Sequence, residues 1–101
     1  MKFSLIPLTT LLLPLLVHAQ TQVTCAVTTA GATSRSCTSA NTNQCRVKKT
    51  YALGENVTVY CYRWGDVVQN DSMWFQLISR DPYEYIPASW VKNCWGVSPC
   101  K

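Results

Sequence analysis

Cysteine is the residue in this chain with the most chemistry to offer, and its spacing narrows that chemistry. The six are Cys25, Cys37, Cys45, Cys61, Cys94 and Cys100. No two are arranged as C-x-x-C, so the usual spacing of a structural metal site is absent and no metal ligand set is expected. A free catalytic thiol would leave an odd number to pair. An even count in a short chain reads instead as three disulfides. At about 2–4 kcal/mol each, they matter to a domain whose core alone is marginal. Six cysteines allow fifteen pairings. Short closures favour Cys37–Cys45 and Cys94–Cys100, which leaves Cys25–Cys61 as the long-range staple.

The first nineteen residues have the form of a signal peptide. Lys2 is the positive start, Phe3–Val17 the apolar run, and Val17-His18-Ala19 the small-residue cut. Pro7 and Pro14 interrupt the run, which is shorter than the roughly 20 residues a membrane span needs. The mature chain is therefore expected to start at Gln20, to have 82 residues, to be exported and to insert stably in no membrane. Cleavage removes His18, the only histidine. Ser-His and Cys-His nucleophiles, a histidine base and His-ligated metals are excluded with it. No cofactor is expected. The remaining net charge of +3, without a continuous basic stripe, does not suit nucleic acid.

The carboxylates are Glu55, Asp66, Asp71, Asp81 and Glu84. Four fall at predicted turns, and no spacing among them suggests a general acid–base pair. Lys48-Lys49 reads as a solvated strand position that resists edge pairing. Two N-x-[ST] sequons, at Asn56 and Asn70, are glycosylation candidates; Asn70 sits in a turn and Asn56 immediately before a strand. Aromatic residues are dense. Trp74, Tyr83, Tyr85 and Trp90 fall within seventeen residues, too many for a very small core to bury together with the rest.

Short strands must position these side chains. Val23–Thr28 alternates and reads as a first strand, and Thr29–Gln44 as a long Ser/Thr-rich loop pinned by its cysteines. Arg46–Leu53 is a second strand. Val57–Arg63 is the clearest, with Val57, Val59 and Cys61 facing one way. Gly65–Asp71 reads as a polar turn. Ser72–Ser79 follows, with Met73, Phe75 and Leu77 on the core face and Trp74 opposite. Tyr83–Ile86 begins a fifth strand that resumes at Trp90-Val91 after a turn at Pro87–Ser89. No segment keeps a helical period. Five short strands without a helix predict an all-β domain over residues 20–101, a small five-stranded barrel.

Tyr51–Val91 resembles a bacterial-type SH3-like (SH3b) domain. The resemblance is carried by Leu53-Gly54, the Val57–Val59 strand, the polar turn, Trp74, and the closing Tyr85-Ile86-Pro87-Ala88-Ser89-Trp90-Val91. The family's Asn-x-Arg-x-Gly-Pro segment is replaced by the cysteine-bounded loop. With its leader, cysteines and sequons, the chain is similar to small secreted fungal proteins with this barrel. The resemblance implies a surface groove lined by Trp74, Pro87 and Trp90, to which Tyr83 and Tyr85 lie close.

The expectation is a secreted, non-enzymatic, SH3-like binding module. Its partner would be an extracellular glycan, a peptidoglycan fragment or an extracellular protein. An effector or antimicrobial toxin acting on another cell is the alternative, and a small histidine-free hydrolase a third.

Overall fold

The structure, a computed structural model, describes residues 22–101; the predicted leader over 1–19, its cut after Ala19 and the start at Gln20 lie outside them. The described chain is all-β. Its strands are β1 (Val23–Val27), β2 (Ala32–Arg35), β3 (Val47–Tyr51), β4 (Asn56–Val59), β5 (Cys61–Val68), β6 (Asp71–Gln76), β7 (Tyr85–Pro87) and β8 (Val91–Lys92). A single 3-10 turn, Ala88–Trp90, separates the last two.

These eight strands build two antiparallel sheets, ordered β4-β1-β8 and β3-β2-β7-β6-β5. They do not form the five-stranded closed barrel expected from sequence. The core lies between the sheets, where Cys25, Val27, Val57 and Val59 from the first meet Ala32, Tyr51, Phe75 and Ile86 from the second, with Leu77 just past β6. Alternation explains the partition. The expected inward set of Val57, Val59 and Cys61 is buried, and Thr58 between them is exposed.

Three elements differ from the sequence reading. The supposed loop after β1 contains β2, whose Ala32 and Ser34 are buried. Its small and polar residues carry no apolar alternation, and the strand forms because β3 and β7 pair with it on either side. The supposed single strand Val57–Arg63 breaks at Tyr60, and there the chain passes from one sheet to the other. The supposed turn Gly65–Asp71 is mostly strand. The hairpin turns at Gln69-Asn70 alone, both with positive φ (52° and 67°), as a two-residue turn of this hand requires.

Two disulfides also differ from the expected pairing. Cys37–Cys45 closes as predicted, but Cys25 pairs with Cys94 and Cys61 with Cys100, across 69 and 39 residues. The tail explains the exchange. The Tyr62 N–H donates to Ser98 O at 3.0 Å and the Cys100 N–H to Tyr62 O at 2.9 Å, so the tail runs along β5 and delivers Cys100 to Cys61. Cys94 follows β8, which pairs with β1, and so reaches Cys25.

Candidate functional site

Trp74 lies on the outer face of β6, as alternation requires, but it is fully buried at 0% exposure. Its indole N–H donates to Asp66 O at 2.9 Å. Asp66 belongs to a bulge in β5, because the pairs Trp64↔Met73 and Val68↔Asp71 leave three residues of β5 opposite Ser72 alone. The disulfide loop docks on that bulge. The Asp66 N–H donates to Thr38 O at 3.0 Å, and Ser39 Oγ donates to the Asp66 carboxylate at 2.6 Å. Gly65 makes the approach possible, since a Cβ there would run into the Thr38 backbone.

The aromatic shelf expected on Trp74, Tyr83, Tyr85, Pro87 and Trp90 is therefore not an exposed surface. Trp74, Tyr85 and Pro87 are buried; Tyr83 and Trp90 are half-buried. Tyr83 tilts against Tyr85 with ring centroids 6.2 Å apart. The alternation argument put Trp74 on the correct face, and the disulfide loop and bulge then closed that face to solvent.

The tryptophans left in water are Trp95 in the tail, 81% exposed, and Trp64 on β5, which borders a groove. Trp64 is 63% exposed and packs edge-on against Tyr62, with centroids 5.4 Å apart. A groove of about 440 Å³ opens beside them, lined by Thr38, Tyr62, Arg63, Trp64, Pro99 and Cys100. The tail supplies one wall, and the tail's hydrogen bonds to Tyr62 fix it. Sequence reasoning passed over this site because it assigned Gly65 onward to a turn. The signal was present in Tyr62 and Trp64, two aromatics at the two-residue spacing that shares a strand face.

A second, polar site sits at the far end of the same region. Glu84 is buried, and both Ser34 Oγ and Tyr51 Oη donate to its Oε2, each at 2.5 Å. Burial, and the carboxylate that accepts its proton, push the Tyr51 hydroxyl well above the usual tyrosine range. Around this pair lies a cleft of about 320 Å³ that also touches Lys49, Glu55, Asn56 and Tyr60. Lys49 Nζ stands 3.5 Å from the Glu55 carboxylate and 4.6 Å from the centroid of the Tyr51 ring. The Ala52 N–H, donating to Glu55 at 3.0 Å, and then the Lys49 charge hold the Glu55 carboxyl below its usual range.

The glycosylation candidates are accessible. Asn56 and Thr58 are exposed on the same face of β4, an edge strand, and Asn70 is exposed at the hairpin tip. Lys48 and Lys49 lie on β3, the edge of the larger sheet, beside an irregularity in its pairing with β2. Among the described residues no helix is long and apolar enough to cross a membrane. Compared with known families, curated proteins and solved structures, the chain matches no family model, no curated protein and no solved structure.

Proposed function

We propose that the chain is an exported, non-enzymatic binding module that holds a cell-wall polysaccharide in the groove beside Trp64. One observation carries this reading: a tryptophan 63% exposed, braced edge-on by Tyr62 and walled by a disulfide-anchored tail. A flat aromatic face held rigid before binding suits the apolar face of a sugar ring, and rigidity reduces the entropy lost on association. Three disulfides support an oxidising, extracellular location. In a eukaryotic secretory route, Asn70 would carry a glycan away from this groove, which it does not line. Two antiparallel sheets sharing one chain through the corner at Tyr60 support an SH3-like relationship, with the binding surface moved off the closing segment.

The test is retention of the mature protein on insoluble chitin, β-glucan and peptidoglycan, with Trp64→Ala alongside. The variant should lose about 2 kcal/mol or more of binding free energy, as hot-spot aromatics do. Its thermal stability should change little, because the side chain is mostly in water. Equal retention of the variant, or no retention of the parent protein on any of the three, overturns the proposal.

A further inference from the structure

The groove beside Trp64 and the Glu84 cleft are linked by a third pocket that shares lining residues with each. This third pocket is a smaller depression of about 140 Å³. Arg63 and Cys100 border both the groove and this depression, and Tyr60 borders both the depression and the cleft. Through these shared residues the three adjoin one another, from β5 past the corner at Tyr60, and they are graded in charge. Arg63 and Lys101 line the middle of this track, whereas Glu84 and Glu55 line its far end. Lys49, which lines that end, is already engaged by Glu55 and the Tyr51 ring, and the nearby Lys48 ammonium donates to Tyr83 O at 3.4 Å.

Glu84 is the unusual member. The residue is 8% exposed, it forms no ion pair among the described residues, and its two hydroxyl donors share one oxygen. A buried carboxylate facing a cleft and lacking a counter-cation attracts a cation strongly, because little water screens it. The rest of the described chain carries a net positive charge, so the cleft is a local reversal of sign.

We infer that the track reads a partly N-deacetylated aminoglycan, with neutral sugar units over Trp64 and Arg63 and one free, protonated amino group in the cleft against Glu84. This inference rests on the glycan reading of the Trp64 groove and adds the chemistry that selects among glycans. The middle of the track rejects a uniform polyamine, since Arg63 and Lys101 would repel it. An extended peptide is disfavoured as well, because the backbone groups of Tyr62 that could pair with it are taken by Ser98 and Cys100.

The experiment is calorimetric titration of the mature protein at mildly acidic pH with three hexamers of N-acetylglucosamine: fully acetylated, singly deacetylated and fully deacetylated. The singly deacetylated hexamer should bind at least about tenfold more tightly than the fully acetylated one, the size of one charge-assisted hydrogen bond. It should also bind more tightly than the fully deacetylated one. Glu84→Gln should abolish this preference, bringing the singly deacetylated hexamer to the affinity of the acetylated one. Glu55→Gln, at the exposed rim, should reduce the preference and serves as the second variant if Glu84→Gln does not fold. Trp64→Ala should weaken every hexamer and keep their ratio. Binding of the acetylated hexamer with no preference for the amine, or a preference that survives the Glu55 or Glu84 change, overturns this inference and leaves the glycan reading intact. Failure of all three hexamers to bind overturns both. A lysine-rich peptide that binds the cleft in the Trp64→Ala variant as well as in the parent protein would assign the cleft to peptide and overturn the inference.

Discussion

Tyr51 donates its hydroxyl proton to Glu84 Oε2 at 2.5 Å, joining β3 to the segment before β7 across 33 residues of sequence. The two residues lie on opposite sides of β2, whose Ser34 donates to the same oxygen. One buried carboxylate thus ties three neighbouring chain segments together through hydroxyls. Its removal would strand two donors as well as delete an acceptor.

Tyr51→Phe should cost about 1.5–3 kcal/mol, the range for a hydrogen bond to a charged group. The same variant should change the alkaline limit of stability. The unfolded chain's tyrosine ionises near about 10, while the folded Tyr51 stays protonated well above that. Above that pH the unfolded state therefore binds fewer protons than the folded state, and stability falls as pH rises. Below it the contribution is fully present. Urea midpoints measured through the alkaline range should fall less steeply for Tyr51→Phe than for the parent protein; parallel curves would remove Tyr51 from the account.

Gly65→Ala should destabilise by about 1–3 kcal/mol, as overpacking does. The added methyl meets the Thr38 backbone, which must retreat and take the Ser39–Asp66 hydrogen bond with it. Thermal denaturation measures the cost. Amide exchange should show faster exchange at Asp66, whose N–H donates to Thr38.

Trp74→Ala should cost about 3–5 kcal/mol, the penalty for emptying a large buried site. Trp74→Phe keeps most of the volume but leaves the Asp66 carbonyl without its indole donor, and should cost less. A melting temperature unchanged in Trp74→Ala would contradict the burial.

The three disulfides should differ in worth. In the chain-entropy account a closed loop of 69 residues contributes about 4 kcal/mol and one of 8 about 2.5 kcal/mol. Replacing Cys25 and Cys94 together by serine should therefore lower the unfolding midpoint more than replacing Cys37 and Cys45. Peptide mapping under non-reducing conditions checks the pairing; a Cys94–Cys100 peptide would refute it.

The legible parts of this fold were those governed by short-range alternation. Val57, Val59 and Phe75 announced their inward face because strand period and burial coincide. Trp74 obeyed the same period and still misled, because alternation states which face a side chain takes and not what later covers that face. Ser34 was illegible for a related reason. Its burial depends on Glu84 and Tyr51, far away in sequence, and a serine in a Ser/Thr-rich stretch carries no trace of partners that distant. The disulfides followed strand adjacency, which is long-range information, so the preference for short loops failed wherever a sheet neighbour was closer. Glu84 differed from the other four acids in one readable respect, its position outside a predicted turn.

The pairing of β1 with β8 has a consequence in time. Val27 lies opposite Val91, and Arg35 of β2 opposite Tyr85 of β7, so both sheets are closed by contacts between the two ends of the described chain. Such non-local order places folding among the slower small domains, on the millisecond-to-second scale, because loop closure must precede the contacts that reward it. A chain emerging N-terminus first cannot complete its smaller sheet until β8 has emerged. Up to that moment β1 holds an unpaired edge, so the vulnerable interval for aggregation is set by how quickly the last strand arrives.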